Sequence, residues 1–319
     1  MDSLKLKKIL LGFVLLAITV PAAQFMFPFA KDKELKGAVV NVDDAELKLN
    51  NWLDDTYQEK KEKFLNDGFG FRSFFVRIHN QLDYSLYHKT NANGIVVGKQ
   101  NYLYEYNYIK AYYDKDFIGI DSIKAQCVRM KAIQDPLQKL GKQFLLVIAA
   151  GKASFYPEYI PDSCKKNINT NTNYQEWVKQ AGLAGINIID FNKYFDNKYK
   201  SKYPLYPQYG IHWSEYGVTL VCDSLIKCIE KLRRIKMNHL KWGEIEMLDK
   251  PKGGDYDIGA GLNLIFRLKS FKLAYPKTFY THNNTAVKPR LLVIADSFYW
   301  SINNTGFTTN AFDSSHFWF

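Results

Sequence analysis

A serine stands where a nucleophile can be displayed. The apolar run Leu291-Leu292-Val293-Ile294-Ala295 leads straight into Asp296-Ser297-Phe298, and Tyr299-Trp300-Ser301 then reads as the start of a helix. At such a strand-to-helix turn a serine exposes its hydroxyl and turns its own amide toward a developing oxyanion. Acyl transfer through a covalent serine intermediate needs that arrangement. The same residue also suits a plain helix N-cap. A base is available in Gly210-Ile211-His212-Trp213-Ser214-Glu215-Tyr216-Gly217. His212 stands just before a helix predicted over 214–235, whose positive dipole end disfavours an imidazolium and keeps a neutral imidazole ready. A structural histidine bonded to the cap is the alternative. Of the six histidines, at 79, 88, 212, 239, 282 and 316, only His212 is flanked in this way by tryptophan and small residues.

A third candidate is the loop that follows the apolar run 144–149, Ala150-Gly151-Lys152-Ala153-Ser154-Phe155-Tyr156-Pro157-Glu158-Tyr159-Ile160-Pro161. One lysine and two tyrosines beyond a strand end suit the rim of a ligand site, and Lys152, Tyr156, Tyr159 and Trp213 are the expected substrate contacts.

The elements that must position these residues alternate. Helices are predicted over 43–67, 71–89, 123–140, 173–183, 214–235 and 257–268, strands over 144–149, 186–190 and 291–295, and a hairpin over 94–104. Apolar strands without alternation, separated by helices, predict a parallel sheet covered on both faces, an α/β fold of the open, doubly wound kind. Ligands in such sheets bind beyond the carboxyl ends of the strands, where Ser297 and Lys152 fall.

The first thirty residues bear on the compartment. Lys5, Lys7 and Lys8 precede the uncharged stretch 9–30, which is long enough to span a bilayer. An A-x-A cleavage site is poorly formed around Val20-Pro21-Ala22-Ala23, so an uncleaved anchor is expected, with the lysine-rich end inside and everything after Lys31 exported. The expected organisation is an anchor over 1–30, a helical and hairpin region over 31–115 and an α/β domain over 116–319. Lys and Arg number 43 against 32 Asp and Glu, a net charge of +11 spread along the chain, and no zinc-like or nucleic-acid-binding signature is present. Nucleic acid is therefore excluded as a partner. Cys222 and Cys228 share one predicted helix and lie about 9 Å apart, too far to bridge; Cys127 with Cys164 stays open.

Taken together the motifs resemble the periplasmic alginate O-acetyltransferases of the AlgJ and AlgX type. Asp67-Gly68-Phe69-Gly70-Phe71-Arg72 resembles their Asp-x-Phe-x-x-Arg segment, and Val97-Gly98-Lys99-Gln100-Asn101-Tyr102-Leu103-Tyr104 their glycine-centred hairpin. The Lys152 to Pro161 loop, His212-Trp213 and Asp296-Ser297-Phe298 match three further motifs in the same order. The resemblance implies an SGNH-hydrolase-like fold with permuted order, Ser297 as nucleophile and His212 as its base. It also implies no bound cofactor or metal, a glycan hydroxyl as acceptor and a membrane-bound O-acyltransferase partner as acetyl donor. Family members continue beyond the point where this chain stops, so an incomplete domain is expected. Gly210 stands where the family carries its orienting aspartate. Three outcomes are open: Asp255 or Asp257 substitutes, with Asp257 the expected residue, a Ser-His dyad suffices, or the site is inactive. If the lost carboxylate is the limiting defect, and if Gly210 does not need a positive φ, restoring aspartate at 210 is expected to raise the rate. A carbohydrate acetyl esterase, or a non-catalytic glycan-binding subunit, fits the same residues.

Overall fold

The computed structural model describes residues 3–37, 42–167, 171–196 and 201–319. Contacts divide the chain into two units, Met1–Asn91 with Ala260–Arg267, and Ala92–Gly259 with Leu268–Phe319.

The first unit begins with α1 (Ser3–Met26), the one helix among the described residues long and apolar enough to cross a membrane. The Gln24 side chain ends it: its Oε1 accepts from the amides of Phe29 and Ala30, and its Nε2 donates to Ala30 O, turning the chain back. The expected 43–67 helix is two, α2 (Leu49–Leu53) and α3 (Thr56–Gly68). Asp54 Oδ1 takes both the amide and the hydroxyl of Thr56, and Asp55 enters the left-handed region at φ 64°, so a side-chain turn displaces helical bonding there. In α4 (Arg72–Tyr87), Arg77 and Asn80 donate to the carbonyls of Glu34, Leu264 and Leu262, fixing the 260–267 segment in this unit.

The second unit opens with the expected hairpin, β1 (Ile95–Val97) and β2 (Leu103–Glu105), antiparallel. There follow α5 (Tyr106–Tyr112), α6 (Ile120–Lys139), β3 (Leu146–Ile148), α7 (Lys152–Phe155), α8 (Asn173–Leu183), β4 (Ile188–Asp190) and α9 (Phe191–Phe195). After them come α10 (Glu215–Arg233), β5 (Leu240–Leu248), α11 (Asp257–Gly261), β6 (Leu273–Tyr280), β7 (Leu291–Ile294), α12 (Phe298–Asn304), α13 (Phe307–Ala311) and β8 (Ser315–Trp318). β3 pairs parallel with β4, and β7 parallel with β8. The parallel pairing expected from the sequence is present in these two pairs, and an antiparallel pair, β5 with β6, is added. The register of β5 slips between Trp242 and Ile245. That slip breaks the inside-outside alternation, and the strand carries Lys241, Glu244 and Glu246, so it looked like neither a buried nor a half-buried strand. The helix expected over 257–268 stops at Gly261, as Asn263 turns left-handed at φ 50°.

α10 organises the core. Val218, Val221, Cys222, Leu225 and Ile226 recur at helical spacing and pack with Phe191, Phe195, Trp213, Phe298, Ile302 and Phe307. Ser214 accepts from Gly217 N and caps this helix. All four cysteines are free thiols, which closes the Cys127–Cys164 alternative.

Candidate active site

Ser297 occupies the N-cap position of α12 without using its hydroxyl there. It makes no side-chain cap bond; Asp296 Oδ1 takes the Phe298 amide at 3.0 Å instead. The Ser297 hydroxyl is left for His212, whose Nε2 lies 3.0 Å from Oγ across 85 residues of chain.

The histidine is held on every side. Ser214 N donates to Leu205 O and Ser214 Oγ to Pro204 O, closing the loop that carries it. The His212 ring stands edge-on to Phe298 at 4.7 Å, and the Trp213 ring does the same at 4.9 Å. Trp213 Nε1 also donates to Ser301 Oγ at 2.6 Å. Thus the residue after the serine sits between the two residues of the His-Trp pair, and this interlock brings the motifs together. Trp213, expected at the substrate rim, is 3% exposed and belongs to the core.

An acid faces the other ring nitrogen. Asp257 Oδ2 lies 3.4 Å from His212 Nδ1, long for a hydrogen bond and within ion-pair reach. Its Oδ1 accepts from the amides of Ile211 (3.0 Å) and Ile258 (2.6 Å), which fixes the carboxylate between base loop and α11. A neutral His212 with its proton on Nδ1, toward Asp257, presents a bare Nε2 to the serine hydroxyl.

Gly210 lies against the segment that carries Asp257. A Cβ at 210 would lie 2.5 Å from Gly254 O and 3.0 Å from Asp255 C. The 253–257 backbone therefore fills the space a side chain at 210 would need, and delivers Asp257. A side chain placed at 210 would have to displace the segment that carries Asp257.

Asp255, the alternative acid, lies beneath the site at 3% exposure with Oδ2 unpartnered. Burial pushes its carboxyl up to about 7, against a lowering hydrogen bond from Tyr275. Between the ordinary carboxylate range and about 7 the folded chain holds this proton and the unfolded chain does not, so stability falls as pH rises through that window. Asp255→Asn is expected to flatten the dependence of Tm on pH between about 4 and 7, and thermal melts at several pH values check this.

Lys152 is also not on the rim. It is 3% exposed, and its Nζ donates to Pro207 O and Gln208 O, each at 3.3 Å, and to Gly210 O. Tyr156 and Tyr159 remain partly exposed in an aromatic cluster, where Tyr159 stacks on Tyr102 at 4.0 Å and Tyr156 meets both edge-on. Two neighbours went unnoticed in the sequence. Glu105, at the end of β2, is raised by burial and by the charge of Asp257. Tyr108 packs edge-on to Phe298 and close over Gly151, its phenol raised by burial. Their only signal was position, directly after the hairpin strand. Among the described residues no cluster of three or more His, Cys, Asp or Glu could hold a metal ion.

Comparison with known proteins identifies the domain that carries His212 and Asp257. The family model for the SGNH hydrolase-like domain of the acetyltransferase AlgX matches residues 95–264, a span that includes His212 and Asp257 and stops before Ser297. The probable alginate O-acetylase AlgJ of Pseudomonas aeruginosa is 25% identical over 147 residues, 45% of this chain and 35% of the relative. The chain thus matches about a third of that protein's length. Among solved structures, the O-acetyltransferase domain of Pseudomonas putida AlgJ superposes with a TM-score of 0.48 at 16% identity, covering 70% of this chain and 79% of that one. Pseudomonas aeruginosa AlgX gives 0.48 at 15% identity, over 70% and 54%. With more than half of its residues inside the matched domain, the chain belongs to the AlgX family of SGNH-hydrolase-like acetyltransferases.

Proposed function

We propose that the protein is an exported O-acetyltransferase, anchored in the inner membrane through residues 9–30, that acetylates hydroxyls of an exopolysaccharide or other surface glycan through Ser297. What carries this is the line from Ser297 Oγ to His212 Nε2 and from His212 Nδ1 to Asp257. Ser297 Oγ attacks the acetyl carbonyl while His212 takes its proton, and Asp257 holds the imidazolium that forms. The Ser297 amide donates to the oxyanion. His212 then protonates the departing group. In the second half a glycan hydroxyl gives its proton to His212 and attacks the acetyl-serine, and as that intermediate collapses His212 returns the proton to Ser297 Oγ, freeing the serine. The acetyl group is supplied by a membrane-bound O-acyltransferase partner. Tyr156 and Tyr159 are proposed as sugar contacts.

Transfer and hydrolysis use the same residues and differ in what reaches the acetyl-serine. With nitrophenyl acetate as donor, an added acetylatable oligosaccharide is expected to divert product from free acetate to acetylated sugar, read by mass spectrometry. Unchanged acetate release would identify an esterase. Oligosaccharide binding without any Ser297-dependent turnover would identify a scaffold. On fractionation the chain is expected in the membrane pellet, resistant to high salt. Recovery of a soluble species starting near Ala23 would show a cleaved signal peptide instead.

A further inference from the structure

We propose that Lys152 is the positioning residue of this site: its buried ammonium draws the carbonyls of Pro207, Gln208 and Gly210 onto one point and so sets where His212 meets Asp257. The inference rests on the functional reading above and adds a residue to it. Three carbonyl oxygens turned toward one point repel one another, and an ammonium offers three donors and no acceptor, which satisfies all three. Lys152 opens α7, directly beyond β3, so its reach ties that strand end to the base loop. Gln208 O is shared with Leu103 N at 3.0 Å, which adds β2 to the same knot. Two residues after Gly210 comes His212, and between them the Ile211 amide donates to Asp257. A displacement of Gly210 O therefore moves both the base and the acid that orients it.

The charged and titratable groups facing the ammonium are Glu105, Asp257 and Tyr104, whose ring centroid is 5.4 Å from Nζ. Burial brings the ammonium down to about 7, with Asp257 and Glu105 opposing the fall. A neutral amine would turn a lone pair toward one of the three carbonyls and loosen the loop, so activity should carry an alkaline limb that belongs to Lys152.

The test is made on the full chain with nitrophenyl acetate. Lys152→Met keeps the stem and removes the donors; kcat is expected to fall about 10²-fold with KM within about twofold. Hydrogen exchange of the 205–214 amides should become faster in this variant. Lys152→Arg, which holds its charge at every accessible pH, should recover part of the rate and lose the alkaline limb. Turnover within about threefold of wild type for Lys152→Met, with unchanged exchange and pH profile, overturns the proposal. Should Lys152→Met not melt cooperatively, wild type decides: protection of the 205–214 amides, corrected for intrinsic rates, must fall as pH rises from about 6 to about 9, and constant protection overturns the proposal. Absence of Ser297-dependent turnover in wild type would sink the acetyltransferase reading alone, and the exchange data would still judge Lys152.

Discussion

Ser297→Ala is expected to lower kcat for acetyl release by a factor on the order of 10⁶, and His212→Ala by nearly as much. The two side chains act as one unit: without the base at 3.0 Å the hydroxyl is a poor nucleophile, and without the hydroxyl the base has nothing to activate. The double variant should be no slower than either single one. Asp257→Asn is expected to cost about 10⁴, through the tautomer rather than the charge. An amide group facing Nδ1 would favour the proton on Nε2, where it blocks acceptance from Ser297. Because Oδ1 also takes the Ile211 and Ile258 amides, the asparagine keeps those contacts and should leave the fold intact. Single-turnover kinetics and thermal melts of the four variants check the series. A Ser297→Ala variant that still turns over at the wild-type rate would remove the serine mechanism.

Gly210→Asp is expected to lower acetyl release rather than raise it. Even the smaller Gly210→Ala adds a Cβ 2.5 Å from a backbone oxygen and 2.7 Å from Pro207 Cγ, and the oxygen cannot yield without moving the 253–257 segment. Overpacking of this kind costs about 1–3 kcal/mol. The segment that must shift is the one that carries Asp257, so loss of stability and loss of turnover should appear together in melts and in acetyl release. A rate increase in Gly210→Asp would mean that the acid belongs at 210 and that Asp257 only fills in.

Ser297 was legible because it follows a strand whose end the apolar pattern marks, where polar side chains collect, and His212 because it directly precedes a helix with a clear N-terminal signal. Asp257 was legible only as one of two nearby acids. The choice depends on a steric fact, the missing Cβ at 210, that has no signature in one sequence. Lys152 and Trp213 misled for a common reason. A lysine beyond a strand and a tryptophan in a loop default to solvent or ligand, and only the folded chain shows that carbonyls and a Ser301 hydroxyl await them inside. β5 and β6 escaped because their bulge scrambles the period that identifies a strand.

The separation of base and nucleophile by 85 positions has a kinetic consequence. Nothing local joins them, since the interlock of Phe298 with His212 and Trp213 is made only after a long loop has closed, and contacts of such separation come late in folding. Refolding followed by circular dichroism should therefore run ahead of refolding followed by acetyl release. Under the proposed export, a chain still crossing the membrane carries both side chains apart, and the pair forms only once Phe298 has docked against His212 and Trp213.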